Sequence, residues 1–94
     1  MKTIILVSSS NCKHCAQHFK EVVRLHAPHK DKIALRVVDP DNPTSYKEAI
    51  MMMKKYNVQK IPSIVILGND GMLIETLDGL SNSLNKLNIA INDR

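Results

Sequence analysis

The chain has 94 residues, a length that fits one domain with its own core, and we treat residues 1–94 as a single domain. Its 44% hydrophobic and 23% charged residues are typical of a globular protein, and no apolar run is long enough to cross a bilayer, which argues against a membrane partner. The net charge of +4 is scattered, and only 3% of residues are aromatic, which argues against nucleic-acid binding by base stacking and leaves acidic protein partners open.

The first apolar run, residues 3–7, is rich in β-branched side chains and predicts a buried strand. It is too short for the apolar region of a signal peptide, so we expect a cytoplasmic protein. In the cytoplasm a cysteine pair is reduced by default, and a disulfide would be transient and catalytic.

A first helix is predicted after this strand, with its end at Ala27 because Pro28 disfavours helical geometry in the residue before it. Its inward face is expected to carry residues that recur at helical spacing. These are Cys15, Phe19, Val22, Val23 and His26.

Both cysteines, Cys12 and Cys15, lie at the junction between the predicted strand and helix. With Asn11 or Ser10 as the N-cap, Cys12 would stand at the helix N-terminus, where unpaired backbone N–H groups and the helix dipole stabilise an anion. A thiolate is such an anion. We therefore predict that Cys12 is a reactive nucleophile whose pKa is lowered.

The neighbours of Cys12 fit the same chemistry. Lys13 and His14 would favour its charged form, although His14 could equally be an ordinary exposed residue of the first turn. Cys15 lies one helical turn on and nearer the core, where it can reach Cys12 but is poorly placed to meet a bulky substrate. This placement predicts Cys15 as the resolving cysteine.

A zinc site is the alternative that these cysteines leave open, with His14, His18, His26 or His29 as further ligands. No second cysteine pair is present to complete a tetrahedral site, so redox chemistry is favoured and neither a metal nor another cofactor is expected. We expect His18 and His29 at the surface and His26 partly covered at the end of the helix.

The middle of the chain predicts a second buried strand over residues 33–38, parallel to the first strand through a right-handed βαβ connection. Residues 39–43 form a turn cluster, and Ser45 with Glu48 has the spacing of a capping box that opens a second helix. Asn57 is expected to end that helix. Its predicted inward stripe consists of Tyr46, Ala49, Ile50, Met53 and Tyr56.

The last third predicts a strand over residues 63–67, a hairpin loop over 68–71 and an antiparallel strand over 72–77. Gly79 would break this strand, and Ser81 or Ser83 would cap a final helix. The apolar face of that helix is expected to contain Leu80, Leu84, Leu87 and Ile91. The predicted order is βαβαββα, an α/β protein.

This order, together with residues 11–15, 39–43 and 58–64, resembles the thioredoxin superfamily, and residues 77–81 are similar to the glycine turn before its final helix. The resemblance implies a minimal thioredoxin fold, a four-stranded mixed sheet flanked by three helices. It also implies a cis peptide bond at Ile61–Pro62, and substrate binding by the backbone of Ile61, by Pro62 and by Gly79.

The chain departs from this family in two places near the motif. No Trp precedes Cys12, and Leu6 occupies the strand position where thioredoxins bury an Asp. Proton transfer to and from Cys15 would then need water or His14.

Glutaredoxins are the nearest rival within the superfamily. They typically carry Pro-Tyr inside the motif, Thr-Val before the cis-proline and a Gly-Gly-x-x-Asp-like stretch that binds the glutathione backbone. These positions are here Lys13-His14, Lys60-Ile61 and residues 79–82, so no glutathione site is recognisable. Exchange with protein disulfides is therefore favoured over a glutathione-dependent reaction, which stays the alternative. We expect a monomeric thiol–disulfide oxidoreductase that acts on disulfide-containing proteins. A thioredoxin-reductase-like enzyme or glutathione would be its electron donor.

Overall fold

The computed structural model describes residues 2–78 and 83–92. Within them lie the elements β1 (Lys2–Val7), α1 (Cys15–His26), a 3-10 turn (Ala27–His29), β2 (Ile33–Val38), α2 (Tyr46–Lys55), β3 (Ser63–Leu67), β4 (Leu73–Asp78) and α3 (Ser83–Asn92). The strands of the described residues form one mixed sheet in the order β2-β1-β3-β4. β1 is parallel to β2, and β3 is antiparallel to both β1 and β4. The predicted α/β fold and its sheet are thereby confirmed.

The central strand β1 separates two apolar clusters because its successive side chains point to opposite faces of the sheet. Ile4 and Leu6 join a cluster with residues of α1 and α3, whereas Ile5 and Val7 join a cluster with residues of α2. A strand covered on both faces has to be apolar throughout, which is why the sequence of β1 does not alternate with polar residues.

Helix α1 begins three residues later than the sequence predicts, with His14 rather than Asn11 or Ser10 as its N-cap. Cys12 lies in the preceding turn, where its N–H donates to the Ser9 carbonyl over 3.2 Å. Its own carbonyl accepts from the Cys15 N–H over 3.3 Å, so the chain turns once more before the helix starts.

The buried face of α1 is also rotated from the predicted stripe. Cys15, His18 and Val22 are buried, while Phe19 and Val23 are each 39% exposed. The expectation that His18 lies at the surface is wrong, because His18 shares the covered face of α1 with Cys15 and Val22. The helix ends at His26, and Pro28 lies in the 3-10 turn that follows.

Helix α2 starts where predicted, with Ser45 as N-cap, but the capping box does not form. The Ser45 hydroxyl donates instead to the Asp39 carbonyl (2.9 Å), and Glu48 pairs with Arg36 on β2. Tyr46 is exposed, contrary to the predicted stripe, because it lies in the first turn, beyond the apolar cluster that covers Ala49.

The second half of the chain follows the prediction closely. β3 has the predicted bounds, the Ile61–Pro62 peptide bond is cis, and β4 starts one residue late, next to a register irregularity at Leu67. Leu87 and Ile91 of α3 are buried as expected, whereas Leu80 and Ser81 lie outside the described residues. Among the described residues, no helix combines the length and apolar character that crossing a bilayer requires.

Candidate redox site

Cys12 and Cys15 form a disulfide whose Cα atoms are 5.3 Å apart. Cys15 is 1% exposed, as expected for the first residue of a helix that packs on the sheet. Cys12 is partly exposed in the turn before that helix. The sulfur of Cys12 is thus the one that a partner molecule can approach.

Lys13 and His14 form the exposed outer part of the turn between the two cysteines. Each places a basic or titratable side chain next to Cys12 in the chain. Their expected effect on the thiolate is electrostatic and acts on the reduced form, so it stays a prediction.

The site lies at one edge of the sheet. Val7, the last residue of β1, pairs with Val38 at the end of β2 and with Ser63 at the start of β3. Residues 8–12, the turn cluster after β2 and the cis Ile61–Pro62 bond therefore emerge at this same edge. Pro62 is buried and Ile61 is partly buried against the α2 cluster.

Gly79, the remaining predicted substrate-binding residue, lies outside the described residues. Its neighbour Asp78 ends β4 opposite Ser63, whose hydroxyl lies 2.8 Å from Asp78 Oδ1. β4 thus ends at the same edge as the cysteine turn, although the substrate-binding roles of all three residues stay predictions.

A network of hydrogen bonds beside Cys12 was missed by the sequence analysis. Ser9 Oγ donates to Asp41, and the Ser10 N–H donates to Asp39 Oδ2 over 3.1 Å. The signal was present in the sequence, since parallel strands β1 and β2 end at one edge and the turn clusters after them must meet there. Nothing in the sequence indicated which side chains would bond.

An open groove runs from the disulfide between α1 and the loop after β2. One wall carries apolar side chains beside the cysteines, and the other carries polar ones from the loop. Its lining includes Cys12, Cys15, Ala16, Phe19, Val37, Asp39, Asn42 and Thr44. Phe19 and Val37, which are 39% and 43% exposed, line this groove with their exposed surface.

His18 is the titratable side chain nearest in sequence to Cys15 on the same buried face of α1. It is 2% exposed, and its burial lowers its pKa below the ordinary value of 6.5, because desolvation disfavours the imidazolium. His26 Nε2 contacts the Ile33 carbonyl, and His29 is partly buried. Within residues 2–78 and 83–92, no three His, Cys, Asp or Glu side chains group so as to hold a metal ion.

Thioredoxins and thioredoxin-like proteins are among the solved structures with the same architecture. Mitochondrial thioredoxin 3 of Saccharomyces cerevisiae, in its oxidized form, matches with a TM-score of 0.75 and 22% identity over 99% of this chain and 78% of that one. Thioredoxin O2 of Arabidopsis thaliana, also oxidized, matches with a TM-score of 0.76 and 15% identity over 97% of this chain and 72% of that one.

A thioredoxin-like protein of Clostridium perfringens gives a TM-score of 0.77 and 21% identity over 98% of this chain and 69% of its own. No protein-family model and no curated protein sequence matches the chain. At these identities the comparison establishes a common fold.

Proposed function

On the thioredoxin fold that this chain adopts, we propose that it is a thiol–disulfide oxidoreductase that reduces or exchanges protein disulfides through Cys12 and Cys15. The observation that carries the proposal is the disulfide between a partly exposed Cys12 and a buried Cys15 at the carboxyl end of the central strand. A structural disulfide would not need one sulfur at the surface.

In the forward direction the Cys12 thiolate attacks one sulfur of a substrate disulfide and expels the other as a thiolate, which forms a mixed disulfide. The Cys15 thiol then passes its proton to water or to His14, and the resulting thiolate attacks Cys12 Sγ. This step forms the Cys12–Cys15 bond and releases the second substrate thiol, so two electrons pass from the dithiol to the substrate. The burial of Cys15 keeps it from meeting a protein substrate before Cys12 does.

Regeneration needs a separate two-electron donor, either a thioredoxin-reductase-like enzyme or glutathione. We propose disulfide-containing proteins as the substrates and a monomer as the working form. Lys13 and His14 are proposed to stabilise the Cys12 thiolate, and Ile61 and Pro62 to border the bound substrate. The cytoplasmic location stays a prediction from the sequence.

The reduction potential of the Cys12–Cys15 pair is the first test. The protein is equilibrated in graded thiol/disulfide buffers, and free thiols are counted. A two-electron transition near about −270 mV identifies a reductant, and one between about −180 and −120 mV identifies an oxidant or isomerase. No reversible transition between the two cysteines would refute the proposal.

Trapping of mixed disulfides tests the roles of the two cysteines. Cys15→Ser is expected to accumulate covalent complexes with disulfide-containing proteins, because the resolving thiol is gone. Cys12→Ser is the matched control and is expected to trap far fewer. Equal trapping by both variants, resolved on non-reducing gels, would contradict the assignment.

A further inference from the structure

The backbone that leads into Cys12 is held from the side by the loop after β2. Ser9 Oγ donates to Asp41 Oδ2, and the Ser10 N–H donates to Asp39 Oδ2 over 3.1 Å. The Ser8 N–H donates to the Val38 carbonyl over 3.0 Å. Three successive residues before the motif are therefore fixed to the neighbouring strand and its loop.

These contacts extend to the cysteine itself. Ser9 Oγ accepts from the Asn11 N–H over 3.0 Å, and the Ser9 carbonyl accepts from the Cys12 N–H over 3.2 Å. Ser9 is only 6% exposed, so these bonds are sheltered from competing water. Movement of Ser9 would carry Cys12 with it.

The two carboxylates are themselves held in place. The Asp41 N–H donates to Asp39 Oδ1 over 2.8 Å. Ser45 bonds Asp39 twice, since its hydroxyl accepts from the Asp39 N–H (3.2 Å) and donates to the Asp39 carbonyl (2.9 Å). Because Ser45 is the N-cap residue of α2, its bonds connect Asp39, and through Asp39 also Asp41, to the start of that helix.

We propose that Ser9, Asp39 and Asp41, which we name the acidic clasp, are positioning residues that hold Cys12 within reach of Cys15. This inference rests on the proposed dithiol cycle. A disulfide forms more readily when its two thiols are already held at bonding distance, because less conformational freedom is lost on closure. The clasp thus favours the disulfide over the dithiol and speeds the attack of Cys15 on a mixed disulfide at Cys12.

The test uses the full chain and the variants Ser9→Ala, Asp41→Ala and Asp41→Asn. The first two remove the bond between Ser9 and Asp41, whereas Asn keeps an oxygen that can accept from Ser9 Oγ. The equilibrium constant for closing the Cys12–Cys15 disulfide is measured against a thiol buffer in 1 M salt, where the Debye length of about 3 Å screens the lost charge.

A threefold or larger fall in that constant is expected for Ser9→Ala and Asp41→Ala, which corresponds to about 14 mV at 29.6 mV per tenfold change. Asp41→Asn is expected to stay within twofold of the wild type. Asn42→Ala is the matched control in the same loop, because its side chain bonds Thr44 (2.9 Å to the N–H) within that loop. It is expected to leave the constant unchanged.

A second experiment, which measures the rate of disulfide closure, separates this inference from the proposed function. An aromatic disulfide reagent releases one coloured thiolate when Cys12 attacks and a second when Cys15 resolves the adduct. Ser9→Ala and Asp41→Ala are expected to slow the second release at least threefold. This result does not depend on whether the chain reduces any protein.

Denaturant unfolding is followed in parallel to identify a purely structural role. The inference is overturned if the variants lose stability but keep the closure constant and the second release within twofold of the wild type. It is also overturned if Asp41→Asn falls as far as Asp41→Ala, or if Asn42→Ala falls equally.

Discussion

The buried imidazole of His18 illustrates how a helix face sets the charge of a single side chain. His18 lies between Cys15 and Val22 on the covered face of α1, and burial lowers its pKa below 6.5. In the unfolded chain it regains the ordinary value. Between the lowered pKa and 6.5, the unfolded state therefore binds more protons than the folded state.

The free energy of unfolding of the oxidised protein is accordingly expected to be at its full value above about pH 6.5 and to fall as the pH decreases below it. His18→Leu should remove part of this slope, because a buried leucine has no proton to bind. Urea unfolding at pH 7.5 and 5.5 measures the difference. Gln17→Ala, at an exposed position of the same helix, removes no titratable group; it is the control and should keep the wild-type slope. An unchanged slope in His18→Leu would contradict the argument.

At the scale of an element, the end of α2 is determined by one residue. Asn57 has a φ of +56°, in the left-handed region that asparagine tolerates better than most residues. This turn lets the Val58 N–H donate to the Met53 carbonyl over 2.8 Å, and the Asn57 N–H to the Lys54 carbonyl over 3.4 Å. Val58 then packs in the α2 cluster beside Tyr56.

Asn57→Ala is expected to destabilise the protein by about 1 kcal/mol, because a Cβ without a local polar group is disfavoured at this φ. Asn57→Gly should be as stable as the wild type or slightly more, since glycine carries no Cβ. Urea unfolding at one pH compares the two variants. Equal stability of the Ala and Gly variants would show that a Cβ is not disfavoured in the backbone conformation of residue 57.

At the scale of the whole molecule, packing on both faces of the sheet positions the end of β1 where the Cys12–Cys15 disulfide lies. Leu87 of α3 is fully buried against residues of β1 and α1, including Leu6 and Val22. This cluster lies under the helix that begins with Cys15. The position of the disulfide therefore depends on a helix from the far end of the chain.

Leu87→Ala is expected to lower the free energy of unfolding by about 2–5 kcal/mol, because it leaves a cavity among these side chains. Ile89→Ala is the matched control on the same helix; Ile89 is 67% exposed, and the change should cost less than about 0.5 kcal/mol. Chemical denaturation of the oxidised protein measures both. Similar losses in the two variants would mean that α3 does not dock through Leu87.

Local patterns in the sequence were sufficient for the elements and for the cysteine pair. Residues 33–38 and 63–67 form strands with the predicted bounds, since both are mostly apolar runs that contain several β-branched residues, which favour strands. The cysteine spacing at a strand-to-helix junction predicted which sulfur faces the core, because one helical turn places Cys15 inward. Asn57 likewise ended α2 near where the sequence indicated.

Tertiary structure decided what periodicity along one helix leaves open. His18 is buried and Phe19 is 39% exposed, whereas periodicity alone predicted the reverse; the orientation of α1 is set by its packing on the sheet and on α3, which are far away in sequence. Ser45 bonds Asp39 instead of forming a capping box, and Ser9 bonds Asp41, because adjacent parallel strands bring their following loops together. The sequence by itself determined the order of elements and the position of the cysteine pair, whereas the side chains that surround the pair were determined by packing between distant segments.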